Sequence, residues 1–360
     1  MRVRTIVSIV ALAFLSAQPL FGQAIQLNPL QDAYWRFENG TAGQPVPTPN
    51  PNGENPDDVL DSANDNHMRT WFALSAPVYT TDVPVDVIPQ TGLPNALALR
   101  FTPNQDVYTA GKSINNPIVT EFTLEAAFKP EALNLWQAIV CKDGQPTTAP
   151  ETTLVLKVRA GAPEDPLLNK LQVELFDRGG TRRNIESISP LEVNKWYYAA
   201  IVGTETQLSL YLDRVDGQGY VLQGTAEIGG GGPLWQGPGG AGDDRAWVVG
   251  RGMYGNGVTD WFTGVIDEVR LTNKALAVAD FLFSDGGAPG DFDRDGDVDL
   301  DDLIVFSHCA TGPEISYAGG LPAGCTLTPN QFTGVLPADF DEDMDVDMVD
   351  FGAFQRYIAD

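Results

Sequence analysis

Six acidic residues fall at regular places in GDFDRDGDVDLDDLIVF, residues 290–306. Asp291, Asp293 and Asp295 stand two apart, Gly296 follows, and Asp297, Asp299 and Asp302 complete a loop of twelve. Carboxylates in this series are hard oxygen ligands. A Ca²⁺ ion takes six to eight oxygens, and a twelve-residue loop supplies them from positions one, three, five, seven, nine and twelve. The seventh, Asp297, contributes its backbone carbonyl, Gly296 permits the sharp turn, and Val298 packs the loop onto its neighbour. The pattern recurs without gaps 48 residues further on, in ADFDEDMDVDMVDFGAF at 338–354. There Asp339, Asp341, Asp343, Asp345, Asp347 and Asp350 hold the same places, while Met344 takes the sixth. A Cβ in left-handed backbone costs about 1 kcal/mol, so the second loop is expected to bind more weakly. Two aligned copies denote two copies of one structural unit. Leu303 and Phe306 fall on one face of the helix that leaves the first loop.

The charge distribution points the same way. Residues 285–360 carry 17 Asp and Glu against Arg294 and Arg356, a net −15 of the chain's −26. A segment this acidic repels itself unless cations neutralise it. The same balance excludes nucleic acid as a partner, because phosphate recognition needs clustered Lys and Arg. With His67 and His308 the only histidines, imidazole chemistry has little to work with. At the other end, Arg2 and Arg4 precede a short apolar run and small residues, the pattern of a cleaved secretion signal over 1–24. That run is too short for a bilayer, which needs roughly 20 apolar residues, and no later stretch is long enough. The reading is a protein secreted to the extracellular space or cell envelope, with no membrane span after cleavage. An exported chain can keep a disulfide. Cys309 and Cys325 are 16 apart, and closing such a loop stabilises by roughly 3 kcal/mol. Cys141, in IVCKD, reads as a small buried apolar residue.

Elements that could position these groups differ along the chain. From residue 33 to 276, short apolar, β-branched or aromatic runs such as LVLKV (154–158), LQVELF (171–176) and LSLYL (208–212) alternate with Gly, Pro, Asn and Asp clusters. That is the signature of an antiparallel sandwich. The expected fold is mainly β, an antiparallel jelly-roll sandwich over 25–284. A linker at 285–289 and a small α-helical calcium-binding domain over 290–360 follow. Two long polar loops, 40–57 and 143–151, are where a rigid sandwich would carry binding residues. In VIDEVRL (265–271), strand alternation places Asp267 with Val265, Val269 and Leu271. A carboxylate on an apolar face must be paired or metal-bound. Glu38 is the candidate partner for such an ion, and a hydrogen bond or ion pair joining two strands is the alternative.

The acidic tail resembles a type I dockerin domain, with two EF-hand-type calcium loops each followed by a helix; FGAFQRY (351–357) is similar to the dockerin helix. That resemblance implies docking to a cohesin-like or cell-surface protein through residues after the ninth loop position. Here these are Leu300 and Asp301, then Met348 and Val349. They differ from the family's Ser-Thr pair and from each other, which implies one binding face rather than two interchangeable ones. The larger part resembles LamG-like, concanavalin A-like jelly rolls, in the order AYWRFENG, DSANDNH, ALALRF, EFTLEAAFKP, NKWYYAAIV, LSLYLD and FTGVIDEVRLTNKAL. This resemblance implies a lectin- or adhesion-type module with a glycan or extracellular-matrix ligand. Glucanases share the sandwich, but no ExDxE occurs. Adjacent acids on a strand point to opposite faces, whereas retaining hydrolysis needs two carboxyls about 5–5.5 Å apart. The expectation is therefore a non-catalytic, calcium-binding protein. The alternative is a polysaccharide-degrading hydrolase, or its accessory subunit, with an unrecognised active site.

Overall fold

The computed structural model describes residues 32–48, 58–71, 75–115, 119–144, 152–229, 232–233, 246–255, 257–284, 290–292, 298–327, 329, 335–341 and 343–358. The expected signal segment and linker lie outside the described residues, as do 49–57 and 145–151 of the two polar loops. Alternating apolar residues build two antiparallel sheets. In one, the path runs β12 (Val221–Glu227), β11 (Gln207–Asp213), β10 (Tyr197–Gly203), β5 (Phe122–Pro130), β16 (Gly264–Thr272), β3 (Ala98–Phe101), β2 (Val78–Thr80), and β1 (Ala33–Trp35) also pairs with β16. In the other the order is β4 (Val107–Tyr108), β13 (Trp247–Val249), β6 (Gln137–Asp143), β7 (Thr152–Val158), β8 (Leu171–Phe176), β9 (Arg182–Glu186). Late strands slot between early ones in both sheets: β16 lies beside β5 and β3, and β13 beside β4 and β6. This mainly β jelly roll agrees with the expected fold class.

The two inner faces bury one core, with Trp35, Phe101, Phe122, Phe128, Leu156, Val173, Ile201 and Trp247 among its members. Trp35 is wholly buried, and its indole N–H donates to the Asn66 carbonyl at 2.8 Å, satisfying the polar end of the ring. The outer faces are treated differently. Over the eight-stranded sheet, Ile88, Leu282 and Phe283 pack on Tyr34, Ala127 and Tyr198, with the Tyr198 and Phe283 rings stacked 3.9 Å apart. Over the six-stranded sheet, a hairpin of β14 (Gly252–Tyr254) and β15 (Gly257–Thr259) packs on β6 and β7. The outer positions of β7, β8 and β9 carry Lys157, Gln172, Glu174, Asn184 and Glu186 beside the apolar Val155 and Phe176.

The tail forms a second, separate core around Val298, Phe306, Cys309, Tyr317, Val346 and Phe354. Its helices are α1 (Leu300–Cys309) and α2 (Met348–Phe354). Each begins with a capping box. The Asp299 side chain accepts from Asp301 N at 2.7 Å while Asp302 accepts from Asp299 N at 2.9 Å. Asp347 and Asp350 repeat this at 2.6 and 2.8 Å. A disulfide joins Cys309, at the end of α1, to Cys325, and Cys141 is free and buried.

Candidate calcium loops and a candidate ligand-binding face

The second acidic loop is described nearly throughout. Carboxylate oxygens of Asp339, Asp341 and Asp343 all lie within 4.8 Å of one another, and so do those of Asp345, Asp347 and Asp350. Asp350 ties the loop's start to its end, because one oxygen accepts from Phe340 N at 2.6 Å and the other from Asp347 N at 2.8 Å. Asp302 makes the same clamp between Phe292 N and Asp299 N in the first loop. Met344 does sit in left-handed backbone, at φ 75°. Partial desolvation, and then the crowding of neighbouring carboxylates, holds the Asp341 and Asp345 carboxyls above their ordinary values. Asp345 Oδ1 is buried and has no hydrogen-bond partner among the described residues. Two triads of carboxylate oxygens along one loop, one with an orphaned buried oxygen, fit a hard cation such as Ca²⁺. In the first loop Asp291, Asp299 and Asp302 are described, whereas Asp293, Asp295 and Asp297 lie outside the described residues.

The residues read as partner-facing are open to solvent. Leu300 and Asp301 are exposed at the start of α1, and Met348 and Val349 are 72% and 60% exposed at the start of α2. Phe351 and Phe354 turn the other way, into the tail core. Among the described residues, Met348 and Val349 belong to no buried cluster.

The Asp267 reading needs correction. A bulge between Asp267 and Arg270 inserts an extra residue opposite β5, and Glu268 takes left-handed backbone at φ 48°. The bulge reverses the alternation, so Ile266, Val269 and Leu271 face the main core while Asp267 lies against the covering segments. There Asp267 accepts from Asn95 Nδ2 at 2.9 Å and from Glu268 N at 2.9 Å. Glu38 instead accepts from Ala96 N and Leu97 N at 2.8 and 2.9 Å. Among the described residues, neither belongs to a group of three carboxylates close enough to share a cation. Glu268 is buried too, and is held by Arg36 at 3.1 Å.

A polar face missed at sequence level lies on β7–β9. Leu171, Val173 and Leu175 point into the core, so Gln172 and Glu174 point out, opposite Glu186 and Asn184 of β9. Lys157 Nζ lies 3.4 Å from Glu174 and 5.0 Å from the centre of the Trp136 ring. Arg159 lies 5.2 Å from the same ring and 3.6 Å from Glu186. Trp136 is 40% exposed at the head of β6, and Tyr254, in the hairpin, is exposed too. At the hairpin's end the Asp260 carbonyl accepts from Ala138 N at 2.7 Å. Burial raises the Asp260 carboxyl, with the Lys157 charge opposing it and Glu174 adding to it. The signal for this face was the strict alternation of LQVELF and LVLKV. Nothing in the sequence showed that Trp136 and Asp260 would join it.

A family model described as the concanavalin A-like lectin/glucanases superfamily matches residues 102–281, half of the chain, and ends before the acidic tail. No curated protein matches the chain. Among solved structures, a SAP-like pentraxin from Limulus polyphemus is 19% identical, covering 45% of this chain and 68% of that one at a TM-score of 0.32. The CBM40 of the Ruminococcus gnavus IT-sialidase, bound to α2,3-sialyllactose, is 13% identical, covering 46% and 83% at 0.36. Domain 4 of AbnA, a GH43 extracellular arabinanase from Geobacillus stearothermophilus in complex with arabinotriose, is 13% identical, covering 71% and 97% at 0.38. With half its length matched by the family model and both layers of the sandwich in place, the chain belongs to the concanavalin A-like lectin/glucanase superfamily.

Proposed function

We propose that this is an exported, non-catalytic, glycan-binding protein whose dockerin-like tail holds Ca²⁺ and docks to a protein of the cell surface. The observation that carries the glycan reading is the exposed Trp136 indole between Lys157 and Arg159, on a sheet face of alternating carboxylates, cations and amides. A flat apolar ring beside paired donors and acceptors suits a neutral polyhydroxylated ring. In the tail, Asp339, Asp341, Asp343, Asp347 and Asp350, with the Asp345 carbonyl, would hold one ion. Asp291, Asp293, Asp295, Asp299 and Asp302, with the Asp297 carbonyl, would hold another. The Cys309–Cys325 disulfide is consistent with an oxidising compartment. Among the described residues no helix is long and apolar enough to cross a membrane.

One observation favours the hydrolase alternative: burial raises the Asp260 carboxyl, the Glu174 charge adds to the rise, and a carboxyl with a raised pKa can serve as a general acid. A single screen separates the readings. The full chain is passed over immobilised polysaccharides of plant, algal and bacterial origin, and released reducing ends are measured in parallel. Retention without release is expected. Trp136→Ala should cut retention about tenfold or more, as loss of a buried aromatic anchor does, with an unchanged circular dichroism spectrum. Retention by no polysaccharide, or retention unaffected by Trp136→Ala, overturns the glycan site. Sugar release lost in Glu174→Gln and Asp260→Asn establishes the hydrolase.

A further inference from the structure

The segment between the two acidic repeats lies along the second loop. Thr311 N and Gly312 N donate to the Val346 carbonyl at 3.0 and 3.1 Å, and Val346 N donates back to Thr311 Oγ1 at 3.0 Å. Tyr317 N donates to the Met344 carbonyl at 3.2 Å. Two further contacts reach the acids themselves. Glu314 N donates to Asp345 Oδ2 at 2.6 Å, and the Tyr317 hydroxyl donates to Asp339 Oδ2 at 2.6 Å. That hydroxyl also accepts from Leu336 N at 3.0 Å, which fixes its direction. The Cys309–Cys325 disulfide closes the segment onto the end of α1.

The loop it braces is the one whose sixth position is sterically wrong. Met344 occupies left-handed backbone without glycine's freedom, and its neighbours Asp345 and Val346 are bonded to the segment along with it. Two of the loop's carboxylates are aimed by outside donors. Asp345 in particular is held through Oδ2 by Glu314 N, with a carboxylate oxygen within 4.8 Å of Asp347 and Asp350 oxygens, which fixes the residue whose carbonyl stands at the seventh loop position. Ordering a flexible loop is a cost of binding, and a loop already ordered binds more tightly.

We propose that residues 311–317, tethered by Cys309–Cys325, are a positioning strap for the second loop, setting its Ca²⁺ affinity by holding Asp339, Met344, Asp345 and Val346 in their ligating arrangement. This rests on the calcium reading of the tail. Loss of one neutral hydrogen bond is worth about fivefold in affinity. The test is calorimetric Ca²⁺ titration of the full chain with the first loop silenced by Asp293→Ala. In that background Thr311→Val should weaken binding about fivefold, Tyr317→Phe, which removes a bond to a carboxylate, about tenfold or more, and Cys309→Ser with Cys325→Ser about fivefold or more. With the second loop silenced by Asp341→Ala instead, the same substitutions should leave the first loop's affinity unchanged. Circular dichroism at saturating Ca²⁺ checks the fold, and if Tyr317→Phe fails to fold, the isosteric Thr311→Val carries the test. A wild type that binds no Ca²⁺ overturns the calcium reading and the strap together. A wild type that binds, with variants of equal affinity at the second loop or equal losses at both loops, overturns the strap alone.

Discussion

Asp267 and Glu268 illustrate how one backbone irregularity redirects side-chain chemistry. The bulge places both carboxyls in the interior, where burial raises each: Asp267 well above its ordinary 3.8, and Glu268 to about 7 despite the Arg36 guanidinium. The Glu268 charge raises Asp267 further, and Glu38 raises both. Because folding raises these values, the native state binds the protons more tightly than the unfolded chain does. The stability they contribute is therefore complete below about pH 4 and is lost as pH rises through the folded values, about 7 for Glu268. Asparagine mimics the protonated acid at Asp267 and can still accept from Asn95 Nδ2. Asp267→Asn should thus leave the melting temperature near pH 4 little changed and raise it at pH 7.5. Each pKa unit removed is worth about 1.4 kcal/mol, roughly 3–6 °C for a domain of this size. Thermal melts across pH 4–8 check this, and a lower midpoint at pH 7.5 in the variant would refute it.

At the scale of elements, the β14–β15 hairpin depends on the residue that precedes it. Arg251 is buried between two carboxylates, with Nε 3.0 Å from Asp106 and Nη1 2.8 Å from Asp143. Burial raises both acids, and Arg251 opposes the rise. The Cys141 thiol lies alongside, 3.2 Å from the Arg251 carbonyl, and burial raises it well above its ordinary value. Arg251→Met strands two buried charges and should cost roughly 3–5 kcal/mol. Asp106→Asn leaves a one-to-one pair and should cost far less. Labelling of Cys141 by a thiol reagent is the readout: slow in the wild type and in Asp106→Asn, fast in Arg251→Met. Equal rates in all three would show that Arg251 does not hold the hairpin down. These interactions mark the limit of what the sequence disclosed. Period-two runs revealed the strands, and the repeat revealed the two acidic loops and the helices that leave them. The bulge was illegible because VIDEVRL fits an unbroken strand equally well. The Arg251 cluster and the Trp136 face join residues more than 100 positions apart, and no local pattern encodes such pairings.

At the scale of the whole molecule, the sandwich and the tail have cores with no residue in common, and their charge differs as sharply as their architecture. The tail's −15 surrounds a small cluster of aromatic and aliphatic side chains stapled by one disulfide. A core that small cannot offset the repulsion of so many carboxylates by itself. Ca²⁺ would supply the deficit by linkage, about 2.7 kcal/mol at a hundredfold excess over its dissociation constant. The sandwich has a larger core and internal ion pairs, and among its described residues no three carboxylates lie close enough to share a cation. Chelation should therefore unfold the tail alone. Trypsin offers a sharp readout, because Arg294 and Arg356 are the tail's only cleavage sites. In millimolar Ca²⁺ the full chain should resist cutting at Arg294, since that residue stands within the first loop. With chelator, cleavage there should release a fragment starting at Asp295, with Cys309 and Cys325 still joined, while the sandwich stays intact by mass and by near-ultraviolet circular dichroism. Raising the salt concentration without Ca²⁺ should slow the cut only partly, because screening weakens repulsion without supplying ligand bonds. Cleavage at Arg294 that proceeds equally with and without Ca²⁺ would show that the acids of the tail are not its calcium ligands.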